Sequence, residues 1–231
     1  MTCLSSLFNL IKTIQVTAYL LKQNENKMRH LRLLKLLYLI NREALKEDAN
    51  FVIYDTAYAS PKGLILSTVY KLIEGRGRQS NQWQRYIETG QYHVFLGNDP
   101  GDDELSKFEK NIIESVFNRY GRLSNIELIE FMETLPEWNR YVPRLMLAKS
   151  KNSYHIELKE IVNAVAEETG KDSVAFLERV KRNVVEVKFF ADVEMVDSPK
   201  PILITFDDGF KVSPEVMSKI KELIEEQRIQ E

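Results

Sequence analysis

The sequence predicts a mainly α fold with small β elements, and three observations carry that expectation. Apolar residues recur at helical spacing over long stretches: Ile14, Thr17, Ala18 and Leu21 share one face, and Phe108, Ile112, Ile113, Val116 and Phe117 share another. A serine followed three residues later by a glutamate stands before two such stretches, as Ser106 with Glu109 and Ser124 with Glu127, the signature of a capping box. The β-like runs, by contrast, are short and bounded by turn residues.

Composition sets the class. The chain has 231 residues, 44% hydrophobic and 29% charged, which is globular and leaves room for one large domain or a domain with a smaller second unit. A net charge of −2 gives no general attraction to a phosphate backbone, so nucleic-acid binding would need a local basic patch. Cys3 is the single cysteine, which rules out an intramolecular disulfide and fits a reducing cytoplasm. The N-terminus lacks a basic leader, and Asn9 and Lys12 interrupt its apolar run, so it does not read as a signal peptide. No apolar stretch approaches the roughly 20 residues of a membrane span. The expectation is a soluble, cytoplasmic protein.

Taken in order, the first helical segment carries Phe8, Ile11, Ile14, Val16, Ala18, Leu20 and Leu21, and residues 23–26 break it. Residues 31–45 follow, with Leu33, Leu34, Leu36, Leu37, Leu39 and Ile40 apolar around most of the circumference; such a helix belongs at the centre of a fold. Residues 51–59, aromatic and β-branched, read as a short strand or an extended lead-in. Pro61 and Gly63 mark a turn. Residues 64–73 are expected to be a helix packing through Leu66, Val69, Tyr70 and Ile73, ended by Gly75 and Gly77. Residues 86–96 are expected to hold a hairpin around Thr89 and Gly90. Two capped helices then run to Gly121 and to Pro136.

The texture changes near residue 149. Residues 149–153 read as a linker, residues 156–169 and 173–185 as helices parted by Gly170, and residues 184–196 as β-rich. Residues 202–212 read as a hairpin turning at Asp208 and Gly209, and a last helix starts at Ser213 and Pro214. The expected organisation is a helical domain over 1–148 and a C-terminal α+β extension over 149–231.

Motifs for chemistry are absent. His30, His93 and His155 are scattered, with no zinc-type spacing and no phosphate-binding glycine loop. Asp207, Asp208 and Gly209 suit a tight turn better than a magnesium pair, and the acidic run 99–104 lacks the spacing of a calcium loop. No metal, no cofactor and no enzymatic activity are expected. The basic residues Lys27, Arg29, His30, Arg32, Lys35 and Arg42 are interleaved with leucines and are expected to form a solvated edge rather than a DNA-reading helix. A second basic stretch, Arg76 to Arg85 with Trp83 inside it, falls in an expected surface loop.

These pieces, in order, resemble the Panacea or SocA-like antitoxin domain over about residues 14–138. The resemblance rests on Val16 to Leu21; on the helix Leu33-Leu34-Lys35-Leu36-Leu37-Tyr38-Leu39-Ile40-Asn41-Arg42-Glu43-Ala44-Leu45; on Tyr58 to Gly63; on Val69-Tyr70; and on Leu105 to Gly121 and Leu128 to Trp138. The chain departs from the family in two places. Pro61-Lys62-Gly63 stands for a glycine–proline turn, and Leu135 follows Thr134 where the family often has histidine. The resemblance implies an antitoxin that neutralises a toxin encoded beside it by direct contact. In one member type it implies an adaptor to an AAA+ protease. It also implies occurrence in prophages. Residues 149–231 lie outside it.

Interface energy concentrates in a few aromatic and arginine residues, so the expected partner contacts are Trp83, Arg85 and Tyr86, taken to be exposed, and Trp138, Arg140 and Tyr141. Trp138 reads equally well as a plug closing the domain core. A DNA- or RNA-binding regulator and a phage-encoded inhibitor of a host defence protein are the alternatives.

Overall fold

The computed structural model describes residues 7–61, 63–147 and 153–194. Helix α1 (Leu10–Lys22) starts where Asn9 accepts a hydrogen bond from the Lys12 amide, and strand β1 (Lys27–Arg29) follows a tight turn. Helix α2 (His30–Asp48) is the axis of the fold: Leu33, Leu34, Leu36, Leu37, Leu39 and Ile40 are all buried, as the apolar circumference predicts. It ends at Ala49, held in a left-handed conformation.

Residues 51–55 are buried but form no strand. The Asn41 side chain takes the place of a neighbouring strand, accepting from the Ile53 amide at 2.8 Å and donating to the Ile53 carbonyl at 2.6 Å. Strand β2 (Ala57–Ser60) then pairs antiparallel with β3 (Gly63–Leu66), Ser60 opposite Gly63. Here the expected helix start at residue 64 is corrected. Gly63, at φ 96°, closes a hairpin, so the chain stays extended until α3 (Ser67–Ile73) begins.

Helix α4 (Ser80–Gln84) leads into the predicted hairpin, β4 (Ile87–Thr89) and β5 (His93–Leu96), and β5 also pairs with β1. Both expected capping boxes are present. Ser106 with Glu109 opens α5 (Lys107–Tyr120), and Ser124 with Glu127 opens α6 (Asn125–Glu133). Phe108 is 40% exposed rather than inward, because the box turns Glu109 into the protein and the buried face becomes Glu109, Ile112, Ile113, Val116 and Tyr120. Short helices α7 (Pro136–Asn139) and α8 (Val142–Leu147) follow.

Strand β6 (Tyr154–His155) adds to the far side of β2, completing a second three-stranded sheet ordered β3, β2, β6 beside the first, ordered β1, β5, β4. Helix α9 (Leu158–Thr169) ends at Gly170, whose φ of 64° makes it the expected break, and packs against α2 and α7. Helix α10 (Ser173–Glu194) continues through residues 184–194, where strand was expected. Valine and phenylalanine cost only tenths of a kcal/mol in a helix already under way. The chain divides into two compact units, 1–184 and 185–231. The linker 149–152, the hairpin 202–212 and the last helix fall outside the described residues.

Trp83 is the main correction. It is 0% exposed and ranks among the largest fully buried side chains. Residues 80–84 do have a buried helical face, Ser80 and Trp83 three apart, because the Ser80 hydroxyl takes the Gly77 amide at 2.9 Å and sets a single turn. Trp83→Ala is expected to cost about 3–5 kcal/mol in urea denaturation, as for other buried aromatics, whereas Arg85→Ala, on the exposed face of the same turn, should change stability by less than about 0.5 kcal/mol.

Candidate functional site

Helix α2 is enclosed over its central turns, so a charge there is stable only when paired inside the protein. Arg42, 3% exposed, pairs with the fully buried Glu137 through Nε at 2.7 Å, and Tyr38 donates its hydroxyl to the same carboxylate oxygen at 2.9 Å. A second arm of the guanidinium reaches Glu168 on α9 at 2.5 Å, and Lys46 reaches the other oxygen of Glu168 at 2.5 Å. Lys35 is likewise buried. The expected solvated basic edge is therefore corrected at Lys35 and Arg42, which face the interior.

The electrostatics follow from this burial. Loss of solvent disfavours the Arg42 charge, but Glu137 and then Glu168 outweigh it and hold its pKa above the ordinary value. Burial pushes the Tyr38 phenol well up. Burial works against the Glu168 carboxylate too, yet hydrogen bonds from Lys46 and Arg42 bring its pKa below the usual range. Asp55 is a separate buried carboxylate. It accepts from the Thr68 amide at 2.8 Å, the Val69 amide at 3.0 Å and the Thr68 hydroxyl at 2.7 Å, so it anchors the start of α3; burial still pushes its carboxyl up. Each of these carboxylates is engaged by the protein's own donors, an arrangement that builds structure.

The open feature lies at the other end of α2. A cleft of about 1150 Å³ is bounded by the start of α2, the end of α3, the tip of the β4–β5 hairpin and α6. Arg29, Arg32, Lys35 and Arg76 contribute cations to it and Glu74 one carboxylate. Arg32 donates to the Gly121 carbonyl, and Arg76 is paired with Glu74. A smaller cleft of about 420 Å³ shares Arg29, Arg32, His93 and Asn125 with the first and adds Lys27. Desolvation, followed by the charges of Lys27 and Arg29, lowers the His93 pKa. Large apolar side chains flank the opening: Leu31 is 39% exposed, Ile129 41% and Tyr92 66%.

None of the six residues expected to touch a partner lines either cleft. Arg85 and Arg140 are exposed, Tyr86 and Trp138 half-buried, and Trp83 buried. Tyr141 is buried as well. Its hydroxyl lies 2.6 Å from Glu160 Oε2 and 2.9 Å from the His155 carbonyl, and burial together with Glu160 raises the phenol to about 12. The stretch 76–92 does display a large aromatic, but it is Tyr92 at the hairpin tip. Tyr92 stands in the turn just before β5, outside the paired strands. Among the described residues no group of three or more histidine, cysteine or acidic side chains could hold a metal, and no helix is long and apolar enough to cross a membrane.

The family model described as "Antitoxin SocA-like, Panacea domain" matches residues 33–139. Residues 33–139 are a SocA-like Panacea domain. No curated protein and no solved structure matches the chain. The match begins within α2, later than the residue 14 at which the resemblance was expected to start, so α1 and β1 precede it. Its bounds have a physical counterpart: the Arg42–Glu137 pair joins the first helix of the Panacea domain to the last.

Removing one partner of a buried pair strands the other charge. Glu137→Leu alone is therefore expected to cost roughly 3–5 kcal/mol, and Arg42→Met with Glu137→Leu to recover much of it, measured by chemical denaturation. Glu168 generates a pH dependence. Its pKa is lowered on folding, so its contribution is present above the unfolded value near about 4.3 and is lost as pH falls through the lower folded value. Protection factors of α9 amides, taken relative to the intrinsic rate at each pH, should fall as pH is lowered through that window, and Glu168→Gln should flatten the response. The effect is small because Glu168 is partly exposed.

Proposed function

We propose that the protein is the antitoxin of a toxin–antitoxin pair and neutralises a cognate protein toxin by direct binding. The Panacea domain over residues 33–139 carries this reading, since that domain suggests an antitoxin role. Its architecture is compatible: the ionised side chains of the interior are spent on holding helices together, and the surface offers a cleft and exposed arginines to a partner. Neutralisation needs a rigid complementary surface and no nucleophile, so the protein acts without catalysis of its own. Occlusion of the toxin is the primary mode, and delivery to an AAA+ protease is the variant. Residues 149–231 act as an extension that adjusts specificity. The protein works in the cytoplasm, and a prophage setting fits the reading.

Arg85, Tyr86 and Arg140 are retained as outlying contacts, because their side chains reach solvent. Co-expression with the product of the neighbouring reading frame tests the function. Growth should be arrested by the neighbour alone and restored by the pair, with both chains recovered as one complex. A neighbour that is harmless, or whose toxicity the chain does not relieve, refutes the proposal. Occlusion leaves the toxin level constant during rescue, whereas proteolytic delivery lowers it. Arg85→Ala and Arg140→Ala should each weaken the complex by up to about 1 kcal/mol, as expected of contacts at a polar rim.

A further inference from the structure

Three observations converge at the start of α2. The first is charge. The two joined clefts gather Lys27, Arg29, Arg32 and Arg76 against the single carboxylate of Glu74, in a chain whose net charge is −2. Arg29 is exposed and has no acidic partner among the described residues, and the guanidinium of Arg32 is held only by neutral acceptors, Gly121 O and Asn125 Oδ1. The second is the helix itself. Nineteen residues of α2 point their positive end at the cleft, with no acidic residue in the first turn and no side-chain cap at Arg29. The third is apolar surface in the same place: Leu31, Tyr92 and Ile129 stand exposed around the cationic cluster, and Ile126, one turn earlier on α6, is 69% exposed.

We propose that this cleft seats an acidic segment of the toxin, in which carboxylates engage Arg29 and Arg32 while apolar side chains pack against Leu31, Tyr92 and Ile129. The proposal rests on the antitoxin reading and names the surface that reading uses. Charge complementarity selects the sign of the occupant. The apolar walls select its class. A nucleic-acid backbone calls for a row of cations spaced along phosphates, and walls of leucine and isoleucine offer a phosphate nothing. A peptide segment uses both kinds of surface at once. The cleft is also rigid where it needs to be, because α2 is fixed along the rest of its length by the core and by Arg42 and Glu137. A preformed site loses less entropy on binding.

The test uses the full chain and the toxin encoded beside it. Affinity is measured by calorimetry or surface plasmon resonance for the parent, Arg29→Glu, Tyr92→Ala, Ile129→Ser and Lys181→Glu, the last an exposed substitution on α10 away from the cleft. Melting temperature is recorded for each, and two independent cleft variants guard against a fold defect in the third. The expected result is a loss of roughly tenfold or more for each cleft variant at unchanged melting temperature, with Lys181→Glu equal to the parent. Binding should also weaken at high salt, less so in Arg29→Glu. If the parent neutralises the toxin and every cleft variant binds as tightly, the cleft assignment is overturned and the antitoxin reading stands. A parent that neither binds nor neutralises the toxin overturns both. Labelled single-stranded and duplex oligonucleotides are titrated in parallel. If they bind the parent at physiological salt and Arg29→Glu abolishes that binding while leaving toxin affinity intact, the groove belongs to nucleic acid and the proposal fails.

Discussion

The enclosure of α2 is the constraint from which the rest of the structure follows. A helix buried around the middle of its length cannot leave a charge there unanswered, because an isolated ion in the interior costs several kcal/mol. Three polar residues in its central and later turns are answered in different ways. Asn41 takes both backbone groups of Ile53 and so holds residues 51–55 against the helix without a strand. Arg42 takes Glu137 and Glu168. Lys35 lies beside Gly63, its Nζ 3.5 Å from where a β-carbon would stand, and packs over the turn between β2 and β3, which needs glycine for its φ of 96°. Each answer recruits a different part of the chain to the same helix.

Arg42 has the widest reach of the three. Glu137 sits in the first turn of α7, directly after Pro136, and cannot shift without unwinding that turn. Glu168 belongs to α9, beyond the end of the Panacea match at residue 139. One guanidinium thus ties the start of the domain to its end and both to the following segment. The pairing of β6 with β2 and the hydrogen bonds from Asn183 to the carbonyls of Asp48 and Ala49 add to the same attachment. Residues 153–184 are consequently built onto the domain, whatever separate role the extension has.

Much of this was legible in the sequence, and the failures share a cause. The apolar circumference of α2 and both capping boxes are local patterns with one physical meaning, and they appear as read. The β4–β5 hairpin was legible from the turn expected around Thr89 and Gly90. Burial of single large or charged residues was not. Trp83 lies in a stretch with no repeating face, so its position is set by the one-turn α4 that Gly77 and Ser80 create. Lys35 and Arg42 read as solvated because lysine and arginine usually are. Their partners are remote in sequence, Glu137 lying 95 residues from Arg42. The helix over 184–194 overrides a local β preference in the same way. Periodicity reports faces, whereas pairing across the chain decides which polar residues can afford to turn inward.

That division also explains where variable function can sit on such a scaffold. The middle of α2 is committed: a substitution at Leu36, Leu37, Ile40 or Arg42 disturbs packing or strands a charge. The start of α2 is different. Leu31 and Arg32 reach the surface, Arg29 is exposed, and the hairpin tip opposite is joined to the helix through the His30 amide and the Tyr92 carbonyl at 3.1 Å, a backbone bond that any pair of non-proline residues can make. Side chains at Arg29, Leu31, Tyr92 and Ile129 can therefore change without unsettling the core, while the walls that carry them stay fixed. A protein that must match one partner and reject others needs this combination, because specificity depends on the difference between right and wrong contacts at a rigid surface.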